Sequence, residues 1–250
     1  MSSPVLASAA PRSTRLGGPH DRAFFSGMAI ALALVVLVGF GPSYYWAYFD
    51  QGLTTTISGG PFTPLVQVHA ALFTSWVLLF VVQTALIATH RVRVHRRLGI
   101  VGGTLALGMV VAGTLAAIAA ARRGAGPTRA DPLGFLAIPL TDMLLFGGFV
   151  SAALLKRRDK DAHKRLMLLA YVSLLAAAFA RVPSVASLAP PAPLFASLLP
   201  LILAMAYDRL TRGRVHHAYL WGLGAFVLSL LRVPLSGSAA WHTLAGWMVG

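Results

Sequence analysis

The forty residues from Pro64 to Gly103 decide the fold, and they read PLVQVHAALFTSWVLLFVVQTALIATHRVRVHRRLGIVGG. A long apolar run is followed by a short basic segment and then by a second apolar run. A helix needs about 20 residues to cross the hydrocarbon core of a bilayer, at 1.5 Å per residue. Both apolar runs reach that length, so the stretch predicts a membrane hairpin that turns in a basic loop.

The same plan recurs twice downstream. A Pro-Leu pair lies 31 residues before His95 in the first copy and 31 residues before His163 in the second. A basic residue, an arginine and a leucine follow the histidine in both copies. A third copy, from Pro193 to His216, is shorter and lacks the basic residues after the histidine. This repeat predicts one lone helix followed by three repeated helical hairpins.

Composition places the chain in a membrane. Of the 250 residues, 57% are hydrophobic and only 11% are charged, too little charge to solvate the surface of a water-soluble domain of this size. We expect an all-α integral membrane protein, with a disordered cytoplasmic tail over residues 1–24 and a single seven-helix transmembrane domain over 25–250. The predicted spans lie near residues 25–45, 65–89, 98–121, 133–155, 165–183, 192–209 and 217–234.

The basic residues predict the orientation. If the N-terminus is cytoplasmic, 16 of the 21 Lys and Arg residues lie on the cytoplasmic side, so the positive-inside rule predicts an N-in, C-out topology. Orientation and anionic headgroups account for the net charge of +14, and nucleic acid is not expected as a partner. The basic residues expected to contact anionic lipid are Arg96, Arg97, Lys164 and Arg165.

A first polar group is predicted in the outer leaflet, where it would form a ligand or proton pathway. His69, Trp76 and Gln83 share one face of the second span, because their spacing follows the helical repeat. An aromatic packing stripe is the alternative interpretation of that face. The remaining members of the group are Asp142, Arg181 and Arg232.

Asp142 is the most informative member of this group, because a carboxylate deep in a span is costly to insert. We expect it to face the bundle interior, with Arg181 as the preferred partner and His69 as the alternative. A protonated aspartate that only ties helices together, and arginines that snorkel to headgroups, are the competing interpretation.

A second polar group is predicted at the cytoplasmic side. His95, His163 and His216 each begin an outward-running helix and therefore lie at one depth. Imidazole binds Zn, Cu, Fe and Ni, and three histidines can form an open metal site. Two histidines can instead ligate a haem iron axially. Histidines that face headgroups are the third interpretation. The expected cofactor is thus haem or a divalent transition metal.

The motif HAALFTSW at residues 69–76, Gln83, HRRLG at 95–99 and HKRLM at 163–167 resemble a family of uncharacterised bacterial seven-helix membrane proteins. The Tyr44-Tyr45 pair and the segment 214–216 resemble it too. The resemblance covers roughly residues 40 to 225 and implies no activity. His-Arg-x-x-Gly is also similar to haem-handling membrane proteins related to cytochrome b561, in which histidines on two helices pair across a haem.

Three functions follow as hypotheses: a metal- or haem-binding redox protein, a small-solute or proton-coupled transporter, and a structural or assembly subunit without chemistry. The chain has no cysteine, which excludes disulfides and thiolate metal sites. High Ala, Gly and Arg without Glu indicates a bacterial origin and hence a multi-pass protein of the inner membrane. Other membrane proteins or a second copy of the chain are expected partners.

Overall fold

The computed structural model describes residues 19–50, 52, 61–125, 131–188 and 192–250. A π-helical turn occupies Gly41–Tyr45. The α-helices are Pro19–Phe40, Trp46–Asp50, Pro64–Ala88, Val92–Arg122, Pro132–Leu155, Lys160–Val172, Leu175–Phe179, Pro183–Ala186, Ala192–Ser197, Leu199–Arg212, His217–Ser229, Arg232–Ser236 and Ala239–Val249.

Seven helical segments in the described part of the chain are long and apolar enough to cross a membrane, as predicted. We number them in chain order as spans 1 to 7: His20–Phe49, Pro64–Ala88, Val92–Arg122, Pro132–Leu155, Lys160–Phe179, Ala192–Arg212 and His217–Ser236. We call the end of the bundle that carries His95, His163 and His216 the basic face. The other end is the opposite face.

The Pro-Leu pairs mark helix starts for a local reason. Thr63 accepts a hydrogen bond from the backbone N–H of Val66, and Asp131 accepts one from that of Gly134 at 2.8 Å. These side chains cap the helices, and Pro64 or Pro132 follows in the first turn, where a missing N–H costs nothing. In the third copy the pair lies inside the short helix Ala192–Ser197 instead.

Several boundaries differ from the predicted ones. Span 1 is already helical at Pro19, so the predicted tail over residues 1–24 is partly helix, and residues 1–18 lie outside the described residues. Span 3 begins at Val92 and therefore holds His95 in its first turn. Span 6 is interrupted before Leu199, because Pro200 has no N–H to continue the helical ladder.

An aromatic core fills the middle of the bundle. The ring of Trp76 lies 5.1 Å from that of Phe146 and 5.3 Å from that of Tyr171, between centroids. Trp76 is 3% exposed and packs in this core. At Gly39 span 1 approaches the backbone of Ala178 so closely that any Cβ would overlap it. Glycine therefore sets the distance between spans 1 and 5.

A helix that the sequence did not predict, Ala239–Val249, follows span 7. It is too short to cross a bilayer and packs on the ends of spans 3 and 4. Trp241 Nε1 donates to the carbonyl of Leu133 at 2.7 Å, and His242 Nε2 lies 3.0 Å from Asp131. His242 Nδ1 faces the carbonyl of Ser238. Since both ring nitrogens face acceptors, the geometry suits an imidazolium.

We predict that docking of this terminal helix depends on pH. The Ser238 carbonyl and the Asp131 carboxylate raise the pKa of His242, and the Gly134 N–H and His242 lower the pKa of Asp131. A raised histidine pKa gives stability that is lost as pH rises through the folded value. A lowered carboxylate pKa gives stability that is lost as pH falls through the folded value. Docking of the terminal helix is therefore strongest at pH values between the folded-state pKa of Asp131 and that of His242.

Hydrogen exchange at residues 239–249, corrected for intrinsic rates, measures this dependence. Protection is expected to fall on the alkaline side in the wild type and to be flat there in His242→Gln. An identical alkaline fall in both proteins would contradict the prediction.

Candidate functional site

Charged side chains at the basic face form one connected cluster across spans 1, 5 and 6. We call it the ion network, and its members are Asp21, Asp161, Lys164, Arg165, Asp208 and Arg212. Three acids meet three bases, so the network is neutral. Its charges are thus compensated within the chain, without any ligand.

The centre of the network is a two-pronged ion pair between Arg165 and Asp208. Arg165 Nε donates to Asp208 Oδ2 at 2.8 Å, and Arg165 Nη2 donates to Oδ1 at 2.6 Å. Both side chains are 0% exposed. Arg212 and the backbone N–H of His216 also donate to Asp208. Every described partner of this carboxylate is a donor, which satisfies a buried anion.

The ion network corrects two lipid contacts expected from the sequence. Arg165 is fully buried and does not face headgroups. Lys164 donates to Asp21 at 2.6 Å and also pairs with Asp161. Asp21, in turn, accepts from Tyr207 at 2.8 Å. The expectation was wrong because Asp21, assigned to a disordered tail, is on span 1 and supplies a counter-charge.

The three histidines of the basic face do not assemble into one site. The rings of His95 and His163 lie 6.4 Å apart between centroids, whereas His216 stacks on His217 at 4.1 Å. His216 Nδ1 accepts from the N–H of Ala218 and so caps span 7. Burial and the Arg165 guanidinium lower the pKa of His216, which keeps this acceptor unprotonated.

Within the described ranges, no three His, Asp or Glu side chains lie together as a metal-holding group. The predicted three-histidine site is therefore wrong. The prediction fails because His216 caps a helix next to Asp208, whereas His95 and His163 meet elsewhere on the basic face. Gln83 belongs with His95 rather than with the outer group, since its Nε2 donates to the His95 carbonyl at 3.2 Å.

Tight packing lies close to His95 on span 3. A Cβ at Gly102 would lie 3.2 Å from Leu79, and one at Gly103 would lie 3.5 Å from Leu154. Spans 2, 3 and 4 are therefore in direct contact within about two turns of His95. That packing bounds the space next to His95 on the side of spans 2 and 4, and haem between His95 and His163 stays a prediction.

At the opposite face Asp142 pairs with Arg232. Their Oδ1 and Nη1 atoms are 2.5 Å apart, with 15% and 5% of the side chains exposed. Asp142 thus faces another span rather than lipid, as predicted, but the preferred partner, Arg181, was wrong. Span 7 supplies the cation because its segment Arg232–Ser236 packs against span 4, whereas Arg181 is directed towards span 1.

Arg181 lies just beyond span 5 and turns back along it. Its Nη1 donates to the carbonyl of Ala177 at 2.6 Å, and its guanidinium lies 4.2 Å from the ring centroid of Phe40. No described carboxylate pairs with it. Burial alone lowers the pKa of Arg181 to about 10, so the group stays charged at neutral pH. The chain therefore holds a positive charge here that described carboxylates do not balance.

Several polar side chains of spans 1, 2 and 5 lie in the same part of the bundle. We call Ser43, Tyr45, His69, Thr74, Tyr171 and Arg181 the polar cluster. His69 is close enough to interact with Arg181 electrostatically. Ser43 Oγ, His69 Nδ1 and Tyr171 OH are buried without a hydrogen-bond partner. Tyr45 and Thr74 bond each other at 3.1 Å and so link spans 1 and 2. Such buried orphans call for a ligand or ordered water.

The backbone of span 1 is irregular at this cluster. The π-helical turn Gly41–Tyr45 carries both Ser43 and Tyr45. A Cβ at Gly41 would overlap the ring of Trp46, so glycine lets that ring cross the backbone. Single π-turns inside helices are rare and frequently occur at functional sites.

No protein family, curated protein or solved structure matches the chain.

We predict that the Arg165–Asp208 pair specifies the bundle through charge balance. Asp208→Leu alone leaves Arg165 and Arg212 without their buried anion and is expected to lower the free energy of unfolding by about 3–5 kcal/mol. The double variant Arg165→Met with Asp208→Leu is expected to recover most of that loss.

Thermal unfolding in detergent measures these differences. Arg97→Met is the matched control, because Arg97 holds the same place after His95 that Arg165 holds after His163 but is exposed. Its expected effect is within about 0.5 kcal/mol. A double variant less stable than Asp208→Leu would contradict the argument.

Proposed function

We propose that this protein is a multi-pass membrane carrier for a small organic anion, which binds in the polar cluster between spans 1, 2 and 5. One observation supports this proposal above the others. Arg181 is a half-buried cation that no described carboxylate neutralises, and it lies near His69, whose Nδ1 is buried without a partner.

The argument is one of charge balance. An unpaired charge in a low-dielectric interior is costly, and it persists where a counter-ion is supplied. Elsewhere the buried charges are matched inside the chain: Asp142 by Arg232, and Arg165 by Asp208. Only Arg181 among these lacks a described carboxylate. A bound anion supplies the missing charge, and the hydroxyl of Ser43, on the π-helical turn that follows Phe40, supplies a further donor.

The walls of the polar cluster specify the rest of the ligand. Phe40 stacks against Arg181, and Phe73 lies 4.2 Å from the His69 ring between centroids. Trp76 and Phe80 lie against Tyr171. These surfaces favour a carboxylate attached to an apolar or aromatic body. A strongly hydrated divalent anion would lose its hydration without enough donors to replace it.

Two features support transport of the anion across the membrane: ion pairs that hold the spans together at both ends of the bundle, and breaks in two of the spans. The ion network ties spans 1, 5 and 6 at the basic face, and Asp142–Arg232 ties spans 4 and 7 at the other. Spans 5 and 6 are also discontinuous, a feature of transporter helices that form midplane sites.

We propose an N-in, C-out orientation for this carrier, with the basic face in the cytoplasm of a bacterial cell and the bundle in the inner membrane. The concentration of basic residues at one face supports this orientation. Arg96 and Arg97, which are exposed there, are proposed to contact anionic headgroups. We also propose that the spans form repeated hairpins and that the chain shares the fold of the bacterial family that it resembles. The proximity of His95 and His163 supports a similar depth for the first two copies.

The alternative of a structural or assembly subunit predicts no ligand-dependent behaviour.

We predict that Arg181→Gln weakens binding of benzoate about tenfold or more, because the anion loses its counter-charge; tenfold is about 1.4 kcal/mol. Arg181→Lys, which keeps the charge but not the planar stack on Phe40, is expected to bind with intermediate affinity.

Binding is measured from the shift of thermal unfolding with benzoate, and transport from benzoate uptake into proteoliposomes. Arg123→Gln is the matched control, since Arg123 is an exposed arginine at the same face. Sulfate tests the expected preference for an apolar monoanion. If wild type, Arg181→Gln and Arg123→Gln respond alike to benzoate, the anion site is refuted.

We predict that a reporter fused after Gly250 is located outside the cytoplasm. The physical reason is the basic asymmetry between the two faces, combined with an odd number of spans. A glycosylation or phosphatase reporter measures the location directly. A second fusion within the basic segment after span 2 should be cytoplasmic, and the reverse pattern would overturn the orientation.

A further inference from the structure

We propose that Gln83, His95 and His163 form a second site, which binds a divalent first-row transition-metal ion. We call it the His95 site. It lies at the basic face between spans 2, 3 and 5 and is separate from the polar cluster. The proposal stands on hydrogen-bond geometry and does not depend on the proposed transport function.

The two histidines approach each other from different spans. His95 lies in the first turn of span 3 and His163 in the first turn of span 5. Their ring centroids are 6.4 Å apart and their planes are nearly perpendicular. Two imidazoles at this separation are close enough to share a small ion after a modest side-chain adjustment.

The protonation of His163 follows from its partner. His163 Nδ1 lies 2.8 Å from the carbonyl oxygen of Ala153, a residue in the last turn of span 4. A carbonyl oxygen cannot donate, so Nδ1 carries the proton and donates. In the neutral ring Nε2 is then left with a free lone pair. Histidines that bind metals are oriented by this kind of hydrogen bond from the other ring nitrogen to a backbone carbonyl.

The orientation of Gln83 is settled in the same way. Its Nε2 donates to the carbonyl of His95 at 3.2 Å, which identifies the other end of the amide as the oxygen. That oxygen, Oε1, is buried and has no hydrogen-bond partner. His95 Nδ1 is also buried and has none. Two of the orphaned polar atoms in the described chain therefore belong to neighbouring residues here.

The chemical character of these atoms selects the ligand class. Gln83 Oε1 and His163 Nε2 are acceptors, and His95 Nδ1 is an acceptor in one neutral tautomer. An anion needs donors, whereas lone pairs without donors suit an electrophile. A set of two imidazole nitrogens and one amide oxygen suits Cu²⁺, Ni²⁺ or Zn²⁺, with Cu²⁺ expected to bind most tightly. Mg²⁺ and Ca²⁺ require more oxygen ligands.

Charge around the site works against a cation, so the metal–ligand bonds must supply the affinity. Arg96 is close enough to His95 to act on it electrostatically. The remaining coordination positions would be taken by water, since no described carboxylate joins these three residues as a metal-holding group. The site therefore differs from the three-histidine prediction by losing His216 and gaining Gln83.

Titration of metal-free, full-length protein in detergent with CuCl₂ tests the proposal, with electron paramagnetic resonance as the second readout. The wild type is expected to bind one Cu²⁺ whose spectrum shows two coupled imidazole nitrogens. His95→Ala and His163→Ala are each expected to weaken binding at least tenfold and to leave one coupled nitrogen or none. Gln83→Met is expected to weaken binding by a smaller factor and to keep both nitrogens.

The matched controls are His90→Ala and His217→Ala, which remove exposed histidines of the same face. They are expected to bind as the wild type does. Folding of each variant is checked by its helical circular dichroism, and His95→Gln replaces His95→Ala if the alanine variant does not fold. Absence of Cu²⁺ binding, binding unaffected by loss of His95 or His163, or equal loss in His90→Ala would overturn the proposal.

Discussion

Charge compensation inside a low-dielectric bundle is the constraint on which the rest of this structure depends. Arg165 is fully buried at the end of span 5 and has a carboxylate from span 6 on two of its nitrogens. Removing either partner would leave a buried charge, and that penalty exceeds the net contribution of the intact pair. The ion network thus fixes which ends of spans 1, 5 and 6 meet, although it adds little to overall stability. Hydrophobicity alone specifies no such pairing, because lipid is as apolar as the spans.

The sequence predicted the class of structure and the number of spans, because length and hydropathy are properties of each segment alone. It did not predict environments, as the repeated motif shows. Arg97 and Arg165 hold equivalent places after His95 and His163, yet Arg97 is exposed and Arg165 is buried. The difference comes from Asp208, which is supplied by span 6. Similarly, the sequence correctly predicted that Asp142 needs a partner. It did not predict that the partner is Arg232, because that depends on how spans 4 and 7 pack.

The same reasoning shows which signals were available and missed. Asp21 and Asp208 lie at helix ends near clusters of basic residues, and opposite charges at one depth indicate pairing across spans. Asp131 precedes Pro132 in the pattern of a helix cap, so its role was readable. Its contact with His242 was not, because the terminal helix is placed by tertiary contacts such as that of Trp241 with Leu133.

The two proposed sites are built from similar residues, yet we propose opposite ligands for them. Around Arg181 the chain provides a cation that pairs with no described carboxylate, close to the unpaired ring nitrogen of His69. Near His95, the side chains of Gln83 and His163 each donate to a backbone carbonyl. The other polar atom of each side chain therefore presents a free lone pair. A histidine with an unpaired nitrogen occurs in both places, so residue type alone does not distinguish them. The polarity of the neighbouring hydrogen bonds does, and it supports the proposal of an anion at the first site and of a metal cation at the second.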